Sequence, residues 1–282
     1  MRSKHLILAL ALATGSAIST YFVTGSLAQQ TPSLQGTADN AYQIGAILYQ
    51  QRSGEYRALT YQAYNIARLR LDQDFDKRSL KLLPKADRKR PRAIVVDIDE
   101  TVLNNSASNA YEAKFNVPFN EKDWYAWGEK REATAVPGAV DFLNYAVSKG
   151  VKIFYISNRD DVQEQATIDN LRKVGFKDAS ADNVWLRVNK VSTKEPRRLA
   201  VAAKYRVVML MGDNLDDFSG VFENKPTAER FAEVDKARDL FGKRFIALPN
   251  AMYGTWENAI YNYRHPSEAE KAQMRLNALE LP

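Results

Sequence analysis

The apolar positions of the chain fall into two alternating rhythms. Ala93-Ile94-Val95-Val96 is short, largely β-branched and apolar on both faces, the pattern of a central strand in a parallel sheet. Similar runs recur at Lys152 to Ile156, Asn183 to Arg187, Val207 to Met211 and Arg244 to Leu248. Between them the apolar residues move to helical spacing. Val140, Leu143 and Val147 share one face, Ile168 and Leu171 another, and Leu199 to Ala203 a third. Strand and helix alternating at short intervals predict an α/β fold, a three-layer doubly wound parallel sheet with helices on both faces.

Ahead of the first strand, residues 40 to 75 keep a helical rhythm, with Ile44, Ile47 and Leu48 on one face and Leu59, Ala63, Ile66 and Leu69 on the next. Tyrosines at 42, 49, 56, 61 and 64 thicken that face; packing against the main domain accounts for them, with room for one of them to reach a pocket. Residues 40–90 are therefore expected to form an N-terminal helical segment that contributes to the cap, closing with the basic, turn-rich stretch around Lys85 to Arg92. The interval from Thr101 to Pro137 is long for a strand-to-helix connection and rich in aromatics, among them Phe119, Trp124, Tyr125 and Trp127. Such a loop beside a strand end is usually functional, and residues 102–136 are expected to form a small cap or pocket wall. Residues 91–262 hold the catalytic core and 263–282 a helical tail.

The first 28 residues read differently. A short basic start with Arg2 and Lys4 precedes the apolar run Leu6 to Ala13, and small residues flank the end at Ser26-Leu27-Ala28. This is the pattern of a secretory signal peptide cut after Ala28, with residues 29–39 as a polar lead-in. The expected location is periplasmic or secreted, with no stable membrane anchor. Cleavage removes Arg2 and Lys4 and lowers the formal charge from +6 to +4, a mild excess that favours small phosphorylated molecules. No recognisable nucleic-acid motif is present, so no nucleic-acid polymer is expected as a partner. The chain has no cysteine, which excludes disulfides, thiolate catalysis and thiolate metal ligation. It has two histidines, one of them His5 in the leader, which argues against a histidine-built zinc site.

Candidate chemistry sits where open α/β sheets bind ligands, beyond the carboxyl ends of the strands. Asp97-Ile98-Asp99-Glu100-Thr101 follows the first strand, Ser157-Asn158-Arg159 the second, and Gly212-Asp213-Asn214-Leu215-Asp216-Asp217 the fourth. Packing alone would not put such residues at three ends facing one crevice. If the backbone stays extended, the carboxylates of Asp97 and Asp99 lean the same way and Ile98 turns inward. Crowded carboxylates call for a hard divalent cation with oxygen ligands, which suits magnesium, and Asp213 completes the cage. Asp97 then attacks phosphorus, and Asp99 protonates the leaving oxygen. The Ser157 hydroxyl and the Asn158 amide hold phosphoryl oxygens, and a lysine adds charge. Lys194 is the first choice for that lysine and Lys190 its rival. Asp217 is expected to orient the metal shell and Asp216 to be solvated. Glu100 and Thr101 are as consistent with capping as with the site, and Arg159 with a surface ion pair as with the pocket. Trp127, Tyr155, Tyr253 and Trp256 are candidates to touch the substrate's ring.

At these residues the chain resembles the haloacid dehalogenase (HAD) superfamily. More narrowly it is similar to the class C acid phosphatases, whose relatives include the 5′-nucleotidase lipoprotein e(P4). The matches are Ile94 to Leu103, Phe154 to Arg159, Gly212 to Phe218, Val136 to Ala139, Phe241 to Lys243, Leu248 to Glu257 and Glu55 to Leu59. The resemblance implies a HAD-like fold with a small, mostly helical cap, and magnesium bound in part by the main-chain carbonyl of Asp99. It also implies nonspecific hydrolysis of nucleotide and aromatic monophosphates at mildly acidic pH, and a homodimer. One departure is that Ser108 stands where relatives carry a ring that clasps the substrate's base. Two other readings compete. One is a narrow sugar-phosphate phosphatase or phosphomutase, which an exported protein does not favour. The other is a haem or nucleotide carrier with vestigial activity, which has no need of both Asp97 and Asp99.

Overall fold

The structure, a computed structural model, describes residues 40–282; the leader and lead-in fall outside the described residues. Three helices open it: α1 (Ile44–Arg52), α2 (Gly54–Phe75) and α3 (Lys77–Leu82). Strand β1 (Arg92–Val96) follows, then β2 (Leu103–Asn104), α4 (Ser106–Phe115), α5 (Glu121–Lys130) and β3 (Thr134–Ala135). The core continues with α6 (Ala139–Ser148), β4 (Lys152–Asp160), α7 (Glu164–Val174), β5 (Val184–Arg187), α8 (Glu195–Lys204) and β6 (Arg206–Gly212). It closes with α9 (Thr227–Ala237), β7 (Phe245–Ala247), α10 (Thr255–Ile260) and α11 (Glu268–Asn277). No helix among the described residues is long and apolar enough to cross a membrane.

The five long-range strands form one parallel sheet in the order β5-β4-β1-β6-β7. Chain order runs outward from β1 to one side and then restarts at β6 on the other, so the winding reverses between β1 and β6. That reversal is where doubly wound sheets open a crevice. β1 is buried on both faces, as its apolar run predicts: Ile94 and Val96 join the larger core with α2, α6 and α7, while Ala93 and Val95 face the other layer together with Phe154 and Ile156 of β4 and Val201 of α8. This is the three-layer α/β architecture.

Two helical faces differ from the aliphatic pattern. In α2 the buried residues are Tyr56, Thr60, Ala63, Tyr64, Ala67 and Leu71, whereas Leu59 and Leu69 are exposed. The inward stripe still has helical spacing, but tyrosine, threonine and alanine carry it. Tyr64 shows why: its hydroxyl donates to the carbonyl of Thr101 at 2.5 Å, so the helix braces the loop after β1. In α8 the buried residues are Arg198 and Val201, and Leu199 is exposed. Ser53 caps α2 by accepting from the N–H of Tyr56, and Gly175, at φ 113°, ends α7 in the left-handed conformation that glycine adopts without strain.

Between β1 and α6 the chain makes the cap. β2 and β3 pair antiparallel, Leu103 with Ala135 and Asn104 with Thr134, and α4 and α5 rise between them. α1 packs on α4, and α5 packs on α7.

Candidate active site

The site begins with the way the chain leaves β1. The N–H of Asp97 still donates to the carbonyl of Met211 at 2.9 Å, which holds Asp97 at the carboxyl edge beside β6. Ile98 is fully buried. Glu100 then adopts φ 58°, a left-handed conformation that non-glycine residues rarely take. The chain reverses there, with the N–H of Leu103 bonded to the carbonyl of Ile98 at 2.8 Å and the N–H of Glu100 to the carbonyl of Leu103 at 2.7 Å. The reversal returns the Thr101 hydroxyl to 3.2 Å from both Asp97 Oδ2 and Asp213 Oδ1.

Carboxylate oxygens of Asp97, Asp213 and Asp217 lie within 4.8 Å of one another. The ammonium of Lys194 contacts Asp97 and stands 2.6 Å from Asp217 Oδ1. Lys194 reaches inward from the start of α8, which Pro196 in the first turn helps to fix. Asn250 donates to Asp213 Oδ2 at 2.8 Å, and the N–H of Asn214 to Asp217 Oδ2 at 3.0 Å. Gly212 is required here, because a side-chain carbon would land on the Asp217 carboxylate. Three carboxylates against one ammonium leave two negative charges, the amount a divalent cation cancels, and the donors are all oxygens. Burial pushes the Asp97 carboxyl well above the usual carboxylate range; Lys194 opposes this, while Asp217, Asp213 and Asp99 reinforce it. Burial, then Asp217, pushes Asp213 up to about 8. A cation among them relieves that repulsion.

Asp99 takes a different role from its neighbour. Arg159 grips Oδ1 with Nε at 2.9 Å and Nη2 at 2.8 Å. Asn105 Nδ2 adds a third donor at 2.8 Å and the Ser157 hydroxyl a fourth, to Oδ2, at 3.1 Å. The Asp99 carboxylate stands outside the carboxylate cluster, held by the Arg159 fork. Asp217, expected to orient the metal shell, has a carboxylate oxygen within the cluster. Arg159 is therefore a buried pocket residue rather than a surface ion pair. Asp216 pairs with Arg230 at 3.1 Å instead of being solvated.

A pocket of about 490 Å³ opens over these groups, with Tyr42, Phe119, Trp124 and Tyr253 in its wall. Asn158 is exposed and lines it; its Oδ1 accepts from Arg197 at 2.8 Å, so its amide nitrogen remains to face a ligand. Lys190 stands away from the carboxylates, 2.7 Å from both Asp160 and Glu121. Three of the four ring candidates are misplaced. Tyr155 is fully buried, its hydroxyl donating to Asp178 at 3.0 Å. Trp127 packs on the core and donates to Asn105 at 2.9 Å. Trp256 binds the Tyr253 carbonyl at 3.1 Å and is not part of the wall. Tyr253 is in the wall, its hydroxyl donating to Glu100. Glu100 is fully buried, and burial followed by Asp99 pushes its carboxyl up to about 7.

The profile of the HAD superfamily, subfamily IIIB (acid phosphatase), matches residues 28–256. The chain belongs to this acid phosphatase family. A class C acid phosphatase from Bacillus anthracis superposes with a TM-score of 0.80 at 41% identity, over 87% of this chain and 99% of that one. The same enzyme with tungstate bound gives 0.79 at 40% identity, over 86% and 98%. A 31 kDa stem glycoprotein of Glycine max is 30% identical over 164 residues, 56% of this chain and 58% of that one. Acid phosphatase 1 of Solanum lycopersicum is 25% identical over 137 residues, 45% and 51%. The chain thus spans little more than half the length of these curated relatives.

The sequence pattern left several site residues unread. Asn105 joins Asp99, Arg159 and Trp127 into one network, and Asn250 holds Asp213. Their signal was position only: each lies a few residues past a motif or strand end. Phe119 and Trp124 were legible as part of an aromatic-rich loop. Tyr42 is the one of the five N-terminal tyrosines that lines the pocket, and nothing local in the sequence distinguishes it from the other four.

Proposed function

We propose that the chain hydrolyses phosphate monoesters through an aspartyl-phosphate on Asp97. The observation that carries this reading is the separation of two carboxylates only two residues apart. Asp97 lies in the three-carboxylate cluster with Lys194, and Asp99 lies outside it on Arg159.

Asp97 attacks phosphorus with one carboxylate oxygen, and the bond from phosphorus to the leaving oxygen breaks. Asp99 gives that oxygen a proton and the alcohol departs. Asp99 then takes a proton from water, whose oxygen attacks phosphorus, releasing inorganic phosphate and restoring Asp97. Lys194, the Ser157 hydroxyl and the Asn158 amide surround the phosphoryl oxygens in this reading. Asp97, Asp213 and Asp217 would hold magnesium, together with the main-chain carbonyl of Asp99. When bound, magnesium supplies charge neutralisation at a phosphoryl oxygen. The Bacillus anthracis relative binds tungstate, a tetrahedral oxyanion of phosphate's shape, which supports an oxyanion ligand for this chain as well.

The aromatic wall favours esters of ring-bearing alcohols, namely nucleoside monophosphates and aromatic phosphates. The reading includes export through the leader, mildly acidic working pH and a homodimer. Its test is hydrolysis of a phosphomonoester panel by wild type and Asp97→Asn, with and without EDTA. Wild type is expected to turn over only with magnesium, and the variant not at all while remaining folded by circular dichroism. Full turnover by the variant would overturn the assignment.

A further inference from the structure

The stretch that leads into β1 lies at the end of the sheet opposite the site. From Asp76 to Arg90 it carries seven basic residues against two acidic ones. Both acids are engaged: Asp76 caps α3 by accepting from the N–H of Arg78 at 2.7 Å, and Asp87 lies 3.5 Å from Arg90. Two of the cations are engaged as well. Arg88 donates to the carbonyls of Leu83 at 2.9 Å and Lys81 at 2.7 Å, and Arg90 to the carbonyl of Ala202 near the end of α8. The other five, Lys77, Arg78, Lys81, Lys85 and Lys89, are exposed, and their side chains have no ion pair or hydrogen bond among the described residues. Lys204, which ends α8 two residues beyond Ala202, is a sixth of the same kind.

Leu82 stands among these cations at 88% exposure, the highest of any large hydrophobic side chain among the described residues. A lone surface leucine needs no explanation, but this one is presented. It ends α3, and the Arg88 guanidinium holds the carbonyls on either side of it. An apolar side chain held out within a ring of unpaired cations is the chemistry of an interfacial contact: charge for phosphate headgroups, hydrocarbon for the acyl boundary beneath them.

We propose that this end of the molecule is a docking surface for an anionic lipid bilayer, with the lysine and arginine side chains on headgroup phosphates and Leu82 entering the acyl boundary. Duplex nucleic acid also offers phosphates, but nothing for Leu82. No aromatic residue stands from Lys77 to Arg90 to stack on an unpaired base. The placement suits an enzyme: β1 starts at Arg92 and Asp97 follows its far end, so a chain seated on this surface keeps its pocket turned to solution. The contact is reversible, since surface charge and one leucine fall far short of a membrane anchor. It is independent of the phosphatase reading.

The test uses the chain from Gln29 on, the exported form, which keeps the compact unit Gln35–Pro282 whole. It is mixed with large vesicles of phosphatidylcholine, with or without phosphatidylglycerol, and the bound fraction is read by sedimentation. Wild type is expected to bind only the anionic vesicles and to be released by about 0.5 M salt. Replacing Lys81, Lys85 and Lys89 together by glutamine should lower the partition coefficient about a hundredfold, about fivefold for each cation, and Leu82→Gln about tenfold. Replacing Lys114, Lys122 and Lys130 of the cap by glutamine removes the same charge from α4 and α5 and should leave binding as in wild type. All these side chains are exposed, so each variant is expected to stay folded by circular dichroism. Equal losses in the two triple variants would reduce the effect to overall charge and overturn the proposal. Wild-type binding by Leu82→Gln, or binding of duplex DNA as tight as that of the anionic vesicles, would overturn the assignment to lipid.

Discussion

Arg159 holds Asp99 through two nitrogens on one oxygen, Nε at 2.9 Å and Nη2 at 2.8 Å. The planar fork fixes the plane of the carboxylate as well as its position. A lysine offers one compact charge and cannot do this. Arg159→Lys is therefore expected to lower kcat about ten- to a hundredfold, the usual effect of losing a group that orients a reacting one, with a smaller change in KM. Steady-state kinetics on one ester would check it, and an unchanged kcat would show that Asp99 needs no such support.

Lys194 is buried between Asp97 and Asp217. Replacing it by methionine leaves both carboxylates without their cation, which costs about 3–5 kcal/mol for buried pairs. The loss should be largest in EDTA and smaller with magnesium, because a bound cation compensates the same charges. Urea denaturation under both conditions measures this. Equal losses would mean that the ammonium and a divalent cation do not share the cluster.

Gly212 and Asp217 are close enough that no side chain fits between them. Gly212→Ala should displace the Asp217 carboxylate and cost about 1–3 kcal/mol, as overpacking does. The thermal stabilisation conferred by magnesium should shrink with it. Melting curves with and without magnesium would show both effects, and wild-type behaviour would contradict the crowding.

Asp74 ties the end of α2 to the sheet. Arg92 Nε lies 2.6 Å from its Oδ2, and Arg206 reaches both oxygens at 2.6 Å. Burial works against the charge, but Arg206 and Arg92 outweigh it and hold the carboxyl below its usual 3.8. A carboxyl lowered on folding stabilises the native state above its unfolded value. That stability is lost as pH falls through the lower folded value. Asp74→Asn should cost about 2 kcal/mol at pH 7, as for a hydrogen bond to a charged group, and progressively less below the unfolded value of 3.8. A pH-independent difference in denaturation free energy would show that the charge is not what stabilises.

The sheet could be read from the sequence because a central parallel strand must be apolar on both faces, and Ala93 to Val96 is. The strand ends were legible for the same reason: polar residues immediately after such runs have no packing role. The helix faces were harder. Tyr56, Thr60 and Tyr64 turn inward in α2 while Leu59 and Leu69 face out, since a hydroxyl that finds a partner, as Tyr64 does on Thr101, can be buried. The roles of Asp99 and Asp217 depend on which cation reaches each carboxylate. That is set by Arg159 at the end of β4 and Lys194 at the start of α8, beyond the reach of local spacing. Tyr155 was misread because β4 turns that ring into the core beside Phe176.

The short pairing of Leu103 with Ala135 and Asn104 with Thr134 clasps both ends of the cap side by side. A segment tied at its neck can change in length and composition without pulling on the strands beneath it. Within residues 106–132 the exposed wall position Phe119 is thus free to vary, whereas Trp127, which donates to Asn105 of the Asp99 network, and Trp124, whose ring lies against Arg159, have to stay. Changing the former while keeping the latter is a route to new ester preferences on an unaltered reaction centre.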